Sequence, residues 1–338
     1  MKFRQLGTTN IFLSEIGFGA WGIGGVTPGP TSYGPTNDKT SLQALKKSFD
    51  VGINFYDTSN VYGQGHSEEL IGQAFKAHRE KVIIATKAGL VDYTSPPNFS
   101  LNHIKTSLEG SLQRLKTDYI DLLQLHNPTP NIIRESDHFQ NFIEQLKKQG
   151  KIRAFGVSVR SPEDGFNIIN QLKPDAIQAN FNLLDHRIID CGLMELATKK
   201  GVSIIARTPL CFGFLTGNFS TDTRFKPNDH RSRWSKNQLE SWLNGLKLMI
   251  EQSIDLTSQG PIQFALRFCL SFNSIVSVIP GMLTKKEVLE NSQSSAAGPL
   301  TTEELLKIKK AYQIFCSLEE ENISKNRDQN KLGKLNTN

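Results

Sequence analysis

Short apolar runs alternate along the chain with stretches whose apolar residues recur three or four positions apart. The runs at 15–20, 53–57, 82–87, 119–126, 152–159, 176–181, 202–208 and 275–280 read as eight β-strands. Between them, 40–51, 68–78, 101–115, 134–148, 162–172 and 187–199 read as amphipathic helices. Gly52, Gly150 and Gly201 follow such stretches, where a helix commonly closes in the left-handed region. Runs such as Val82-Ile-Ile-Ala85 and Ile120-Asp-Leu-Leu-Gln-Leu125 are almost continuously apolar, which predicts strands buried on both faces in a parallel sheet. Ahead of them, 2–6 and 11–14 around Gly7-Thr8-Thr9-Asn10 predict a hairpin.

Eight strand–helix alternations predict an α/β protein of the (β/α)8 TIM barrel type with an N-terminal β-hairpin and extra C-terminal helices, rather than an open doubly wound sheet. The alternation is interrupted at 209–237, a long polar loop of the kind that forms a lid or stays disordered. Helices are expected at 238–253, 262–270 and 302–318. The barrel should therefore occupy 1–318 and leave 319–338 as a polar, disordered tail.

Composition narrows the class without naming it. At 338 residues and 38% hydrophobic content, the chain can bury a sizeable core. The net charge of +6 is spread rather than massed, so nucleic acid is not implied, although an anionic small molecule would be favoured. Cys191, Cys211, Cys269 and Cys316 form no CxxC and read as buried thiols in a reducing compartment, and the seven histidines lack metal-ligand spacing. With no signal-like start and no run long enough to span a bilayer, a cytoplasmic protein without membrane contact is expected. The Asn-x-Ser triplets at Asn98, Asn218 and Asn322 are then chance matches.

The candidate chemistry lies where apolar runs end in polar groups. In a barrel these are the C-terminal strand ends, where catalytic residues collect. The second run ends in Asp57, with Tyr62 in the following loop; the third ends in Lys87 and the fourth in His126. A phenol is a reluctant acid at neutral pH, a nearby ammonium lowers its pKa, and a carboxylate holds that ammonium in place. An imidazole could orient a substrate oxygen. Together the four suit proton donation to a carbonyl. Each also has a plainer reading: Asp57 as a turn residue in Asp57-Thr-Ser-Asn60, Tyr62 as a packed aromatic, Lys87 as a solvated strand end, and His126 as a structural hydrogen-bonder. Their recurrence at three successive strand ends favours a site.

Gly17-Phe-Gly-Ala-Trp-Gly22 satisfies GxGxxG literally, but the dinucleotide fingerprint requires a helix to open inside it. Gly24, Gly25, Pro28, Gly29, Pro30, Gly34 and Pro35 forbid that helix, so the motif reads as a Gly-rich strand end.

Over roughly 2–318 the chain resembles the aldo-keto reductase superfamily. The resemblance is carried by Gly17-Phe-Gly-Ala-Trp21, Asn54-Phe-Tyr-Asp57-Thr-Ser-Asn-Val-Tyr62-Gly63, Ile84-Ala-Thr-Lys87 and Asp121-Leu-Leu-Gln-Leu-His126. Gly156-Val-Ser158, Gln178-Ala-Asn-Phe181, Pro209-Leu-Cys-Phe-Gly213-Phe-Leu-Thr-Gly217 and Val278-Ile-Pro-Gly281 with Glu290-Asn291 extend it.

The resemblance implies NADPH-dependent reduction of an aldehyde or ketone, sugar-derived carbonyls among them, with NADH also open. Tyr62 would be the proton donor, Asp57 and Lys87 its tuning pair, and His126 the orienting group. Trp21 and Asn127 would line the substrate mouth together with Tyr62 and His126. Ser158 and Gln178 would hold the nicotinamide amide. Ala20, Trp21, Asp57, Arg207, Thr208, Pro209, Leu210, Gly213, Leu215 and Gly281 would contact the cofactor, and Glu287, Glu290 and Asn291 would lie at its adenosine end.

Three departures matter. Arg207 stands where family members often carry an aromatic, Val159 stands where an Asn often follows Ser158, and Gly281-Met-Leu-Thr-Lys-Lys-Glu287, after Pro280, lacks the arginine often found there. Lys285 and Lys286 could supply charge there, while Thr284-Lys-Lys-Glu287 reads as a helix capping box. Arg160, Arg207 and Asp229-His-Arg231-Ser-Arg233 could favour an anionic substrate, clamp the cofactor or simply be solvated. The competing readings are a cofactor-sensing regulatory subunit, like the related potassium-channel β subunits, and an aldolase using Lys87 as a Schiff base.

Overall fold

A computed structural model describes residues 1–128, 136–253 and 259–335. The chain opens with an antiparallel hairpin, β1 (Phe3–Gln5) and β2 (Phe12–Ser14). The eight expected strands follow as β3 (Phe18–Gly19), β4 (Phe55–Asp57), β5 (Ile83–Ala88), β6 (Ile120–His126), β7 (Ile152–Ser158), β8 (Ala176–Asn180), β9 (Ser203–Arg207) and β10 (Ile275–Ile279). They form one parallel sheet in sequential order. Bridges Ile16↔Val278 and Gly19↔Gly281 join its two edges, making a (β/α)8 barrel. The last contact needs a bare backbone, because a Cβ on Gly19 would lie 2.7 Å from the Ile279 carbonyl oxygen.

The helices are α1 (Asp38–Asp50), α2 (His66–Phe75), α3 (Leu101–Leu115), α4 (Ser136–Lys148), α5 (Pro162–Leu172), α6 (Arg187–Asp190), α7 (Leu193–Lys200), α8 (Lys236–Ser253), α9 (Pro261–Leu270), α10 (Lys285–Ala297) and α11 (Thr302–Leu335). The expected start of α4 at 134 lies outside the described residues. The stretch 187–199 is two helices rather than one, because Gly192 takes φ 78° and breaks it. The last helix runs past Leu318 through Leu335, so the polar stretch expected to be disordered is helical there. No described helix is long and apolar enough to cross a membrane.

Two layers inside the barrel explain why the site lies at one end. Phe55, Ala85, Leu122, Ala154, Ala176 and Ile205 pack together with Leu6, Ile11 and Leu13, so the hairpin plugs the bottom. Successive strand residues face opposite ways, so a position two residues further along points inward again, nearer the top. Two residues beyond Phe55, Ala85, Leu122, Ala176 and Ile205 stand Asp57, Lys87, Gln124, Gln178 and Arg207. On β7 the corresponding place is Gly156, where a Cβ would press to 3.3 Å against the Gln124 side chain.

The long loop 209–237 is ordered by its own aromatics. Phe212 lies 4.7 Å from Trp234, Phe214 lies 5.1 Å from Phe219, and Trp234 lies 4.7 Å from Trp242 of α8. It also meets the loop after β3 through a Ser32↔Asp229 bridge, in which the His230 N–H donates to the Ser32 carbonyl at 2.8 Å.

Candidate active site

Asp57 and Lys87 form the floor of the site. Both side chains are essentially buried, at 3% and 0% exposure, and Lys87 Nζ donates to Asp57 Oδ1 at 2.5 Å. The ammonium also donates to the Thr58 carbonyl at 2.9 Å and to Tyr62 Oη at 3.2 Å. Asp57 Oδ2 accepts from Gln124 Nε2 at 2.9 Å and from Gln178 Nε2 at 2.7 Å. Both carboxylate oxygens are thus used inside the barrel, and the turn role considered for Asp57 is not what its side chain does. A buried ion pair survives only when its remaining polar valences are satisfied, and here they are.

Tyr62 is brought over Lys87 by a tight descent from β4. Its N–H donates to the Ser59 carbonyl at 3.1 Å, and the chain then turns through Gly63, Gln64 and Gly65 at φ 60°, 56° and 98° before α2 begins. Gly63 presses on the β3 loop so closely that a Cβ would lie 2.0 Å from the Gly24 carbonyl oxygen. The His126 ring stands edge-on to Tyr62 with centroids 6.0 Å apart, its Nδ1 3.2 Å from Ser59 Oγ. Trp21 closes the other side, 6.3 Å from Tyr62.

Burial is the largest influence on all four titrating groups. It raises the Tyr62 phenol well above its ordinary range, the Asp57 charge raises it further, and Arg207 opposes. The expected depression of that phenol is not found: burial dominates, and Asp57 adds to it. Burial lowers Lys87, against the pull of Asp57. His126 is held far below its usual value by burial and then by the Lys87, Arg207 and Arg160 cations, so its imidazole is neutral at physiological pH. Arg207 is likewise lowered by burial, with Tyr62 and Asp57 opposing.

From Tyr62 a cleft of about 640 Å³ runs out over the barrel rim to α10. It is lined by Ala20, Trp21, Asp57, Tyr62, His126 and Gln178 at the inner end. Thr208, Pro209, Leu210 and Gly213 line it along the β9 loop, with Arg207 at its start, and Gly281, Glu287, Glu290 and Asn291 lie at the outer end. Ser158, Asn127 and Leu215 are not among its walls. Ser158 is fully buried behind Gln178, its hydroxyl 3.5 Å from Gln178 Oε1. The Leu215 side chain is in the core, with no exposure. Asn127 sits at φ 54° with its N–H on the Ser158 carbonyl, and its buried Oδ1 has no partner.

The departures at β9 form one arrangement. Arg207 Nη2 donates to the Val159 carbonyl at 2.7 Å and Nη1 to Ser158 Oγ at 3.3 Å, while its buried Nε lacks a partner. Thr208, Cys211 and Phe212 are all in the left-handed region, at φ 52°, 44° and 56°, and Gly213 follows at 98°. Such conformations in non-glycine residues gather at ligand-binding loops. Among the expected cations, Arg231 lines the cleft but is tied to Asp229 at 2.7 Å, Arg160 is exposed, and Lys285 and Lys286 are exposed and off the cleft wall. The capping box is formed: Glu287 Oε2 accepts from the Leu283 and Thr284 N–H groups at 2.7 and 2.8 Å, and Thr284 Oγ1 accepts from the Glu287 N–H at 3.3 Å.

The site also holds residues that the sequence reading left without a role. Gln124 binds Asp57, Ser59 bonds His126, and Tyr33, Tyr93 and Phe212 line the inner cleft. Gln124 was findable: it stands two residues before His126 in an apolar strand and so shares its face. The aromatics come from loops whose course no periodicity specifies.

The interior of the parallel barrel thus ends in a buried lysine–carboxylate pair beneath a tyrosine, with a long cleft leading away. The chain belongs to the Aldo/keto reductase family, whose sequence profile matches residues 15–313. It is 32% identical over 318 residues to the uncharacterized oxidoreductase YqkF of Bacillus subtilis (strain 168), covering 90% of this chain and 94% of that one. It is 31% identical to the NADH-specific methylglyoxal reductase of Escherichia coli (strain K12), over 86% of this chain and 92% of that one. The solved holo form of aldo-keto reductase AKR11C1 from Bacillus halodurans superposes with a TM-score of 0.76 at 30% identity, over 92% and 96% of the two chains. The protein is therefore an NAD(P)H-dependent oxidoreductase.

Proposed function

We propose that the protein reduces the carbonyl of a small aldehyde or ketone, with Tyr62 as the proton donor. The observation that carries this reading is the contact of Tyr62 Oη with Lys87 Nζ at 3.2 Å, above an ammonium anchored on Asp57. The cleft suits an extended dinucleotide: the unpartnered Arg207 Nε, the strained β9 loop and the open backbone at Gly281, where a Cβ would meet nothing within 4 Å, all border it. A nicotinamide nucleotide, when bound, supplies the hydride. The chain's own work is to hold the carbonyl and give it a proton.

Tyr62 stays protonated at neutral pH because burial and Asp57 keep its phenol up. An alkoxide is more basic than a phenolate, so the proton moves downhill once charge develops on the substrate oxygen. Lys87 then faces the phenolate and stabilises it. The neutral His126 carries one N–H. In the tautomer with that N–H on Nε2, it can hold the substrate oxygen.

Buried Gln178 lines the cleft with Ser158 behind it, and the pair suits a carboxamide that needs one donor and one acceptor. Trp21, Tyr33, Tyr93 and Phe212 give the substrate an aromatic surround. NADPH is the cofactor implied by the family resemblance; the choice between it and NADH is made at the outer end of the cleft, where the two molecules differ by one phosphate.

Tyr62→Phe is expected to keep nucleotide binding, read by fluorescence quenching, and to lose about 100- to 10,000-fold in turnover on a carbonyl panel. Unchanged turnover would refute Tyr62 as the donor. Nucleotide binding by the unaltered protein without turnover on any carbonyl would instead favour the cofactor-sensing regulatory reading.

A further inference from the structure

The outer end of the cleft carries charge of an unexpected sign. A dinucleotide lying along the cleft from Tyr62 would follow the β9 loop and bring its adenosine end to Gly281 and α10. Glu287, Glu290 and Asn291 line the cleft there. The Glu287 carboxylate is fixed, since its Oε2 accepts from the Leu283 and Thr284 N–H groups at 2.7 and 2.8 Å and from the Thr284 hydroxyl at 3.1 Å. Its Oε1 has no protein donor among the described residues.

We infer that Glu287 makes this protein select NADH over NADPH, an inference that rests on the nicotinamide-dependent reading above. The adenosine ribose of NADH ends in a 2′-hydroxyl, which can donate to a carboxylate oxygen. NADPH carries a phosphate of nearly two negative charges at that place, and acidic and arginine side chains are the usual discriminators between the two. Here the phosphate would meet a fixed carboxylate, with the Glu290 carboxylate beside it.

Among the described residues, no compensating cation is available on that wall. Of the cations among the described lining residues, Arg207 is held at the inner end by Ser158 and Val159, and Arg231 is clamped on Asp229. Lys285 and Lys286 are exposed and do not line the cleft, and Lys286 reaches Glu290 only at 3.6 Å. At the start of α10, the Leu283, Thr284 and Glu287 N–H groups are bonded within the cap and so are not free for a phosphate. Leu283, on the cleft wall just ahead of the helix, contributes no charge.

The test is titration of the full-length protein with NADH and with NADPH, following quenching of tryptophan fluorescence. NADH is expected to bind about tenfold tighter at low ionic strength, the scale of one carboxylate against a phosphate dianion a few ångströms away in water. Because the effect is repulsion, the ratio should shrink as salt is raised. Glu287→Gln keeps a capping-box acceptor and removes the charge, so it should tighten NADPH and narrow the ratio between the two nucleotides. Leu283→Arg, which adds a cation to the wall, should reverse the preference. Equal or tighter NADPH binding by the unaltered protein overturns the inference, as does a ratio that Glu287→Gln leaves unchanged. Binding of neither nucleotide would overturn the functional reading itself.

Discussion

Removing Lys87 tests whether the floor of the site is one electrostatic unit. The ammonium sits 2.5 Å from Asp57 Oδ1, with side-chain exposures of 0% and 3%, so water cannot replace it. Lys87→Met fills a similar volume and leaves Asp57 as a buried charge with only neutral amide donors, Gln124 and Gln178. Breaking a buried pair in this way costs about 3–5 kcal/mol, far more than an exposed pair. At roughly 2 °C per kcal/mol for a domain of this size, the melting temperature should fall by about 6–10 °C.

The loss should also depend on pH in a defined direction. An unpaired buried carboxylate has its folded-state pKa raised above the unfolded value, so it favours the folded state only while protonated. The variant's deficit against the unaltered protein should therefore be largest near pH 8 and narrow as pH falls through that raised pKa. Adding Asp57→Asn keeps an acceptor for the two glutamines and removes the charge. The double variant should regain most of the stability, remaining about 1–2 kcal/mol short for the lost hydrogen bonds. Thermal and urea unfolding of the two single variants and the double variant between pH 5 and 8 measure this. A Lys87→Met protein as stable as the parent, or a double variant no better than the single, would show that the pair does not act as argued.

Two further expectations concern the same residues. Gly63→Ala forces a Cβ to 2.0 Å from the Gly24 carbonyl at a φ of 60°, so the loop carrying Tyr62 must move; turnover should fall by at least about tenfold even where circular dichroism is unchanged. Burial lowers the Lys87 ammonium below the ordinary lysine range, so it loses its proton earlier as pH rises, and with it the support for the Tyr62 phenolate. Turnover should thus decline on the alkaline side before an exposed lysine would titrate, and a rate flat to pH 11 would count against that role.

The strand–helix order was legible because burial on both faces leaves continuous apolar runs, and all eight strands lie where those runs lie. Asp57, Lys87 and His126 were legible because each terminates such a run, and Tyr62 because a phenol follows Asp57 in the next loop. Less was visible where function depends on which neighbour a side chain meets. Arg207 stood out as an unusual residue at the right strand end, but its bonds to Ser158 and Val159 depend on β7 lying two strands away. Leu215 belongs to a matching motif, yet its side chain faces the core because the 3-10 turn Cys211–Thr216 rotates it inward.

By itself the sequence determined the periodicities, hence the barrel, and the chemical kinds of residue at the strand ends. These are local properties, fixed by alternation along a strand and by what water excludes. The tertiary structure decided what each charge faces. Barrel closure brought Gln124 and Gln178 onto Asp57 and buried Tyr62, and that burial, with the Asp57 charge adding to it, raises the phenol. The same closure set the Glu287 carboxylate on the wall of a cleft that begins at Tyr62, more than two hundred residues earlier in the chain. Coulomb energies depend on distance and burial, and neither can be read from sequence separation.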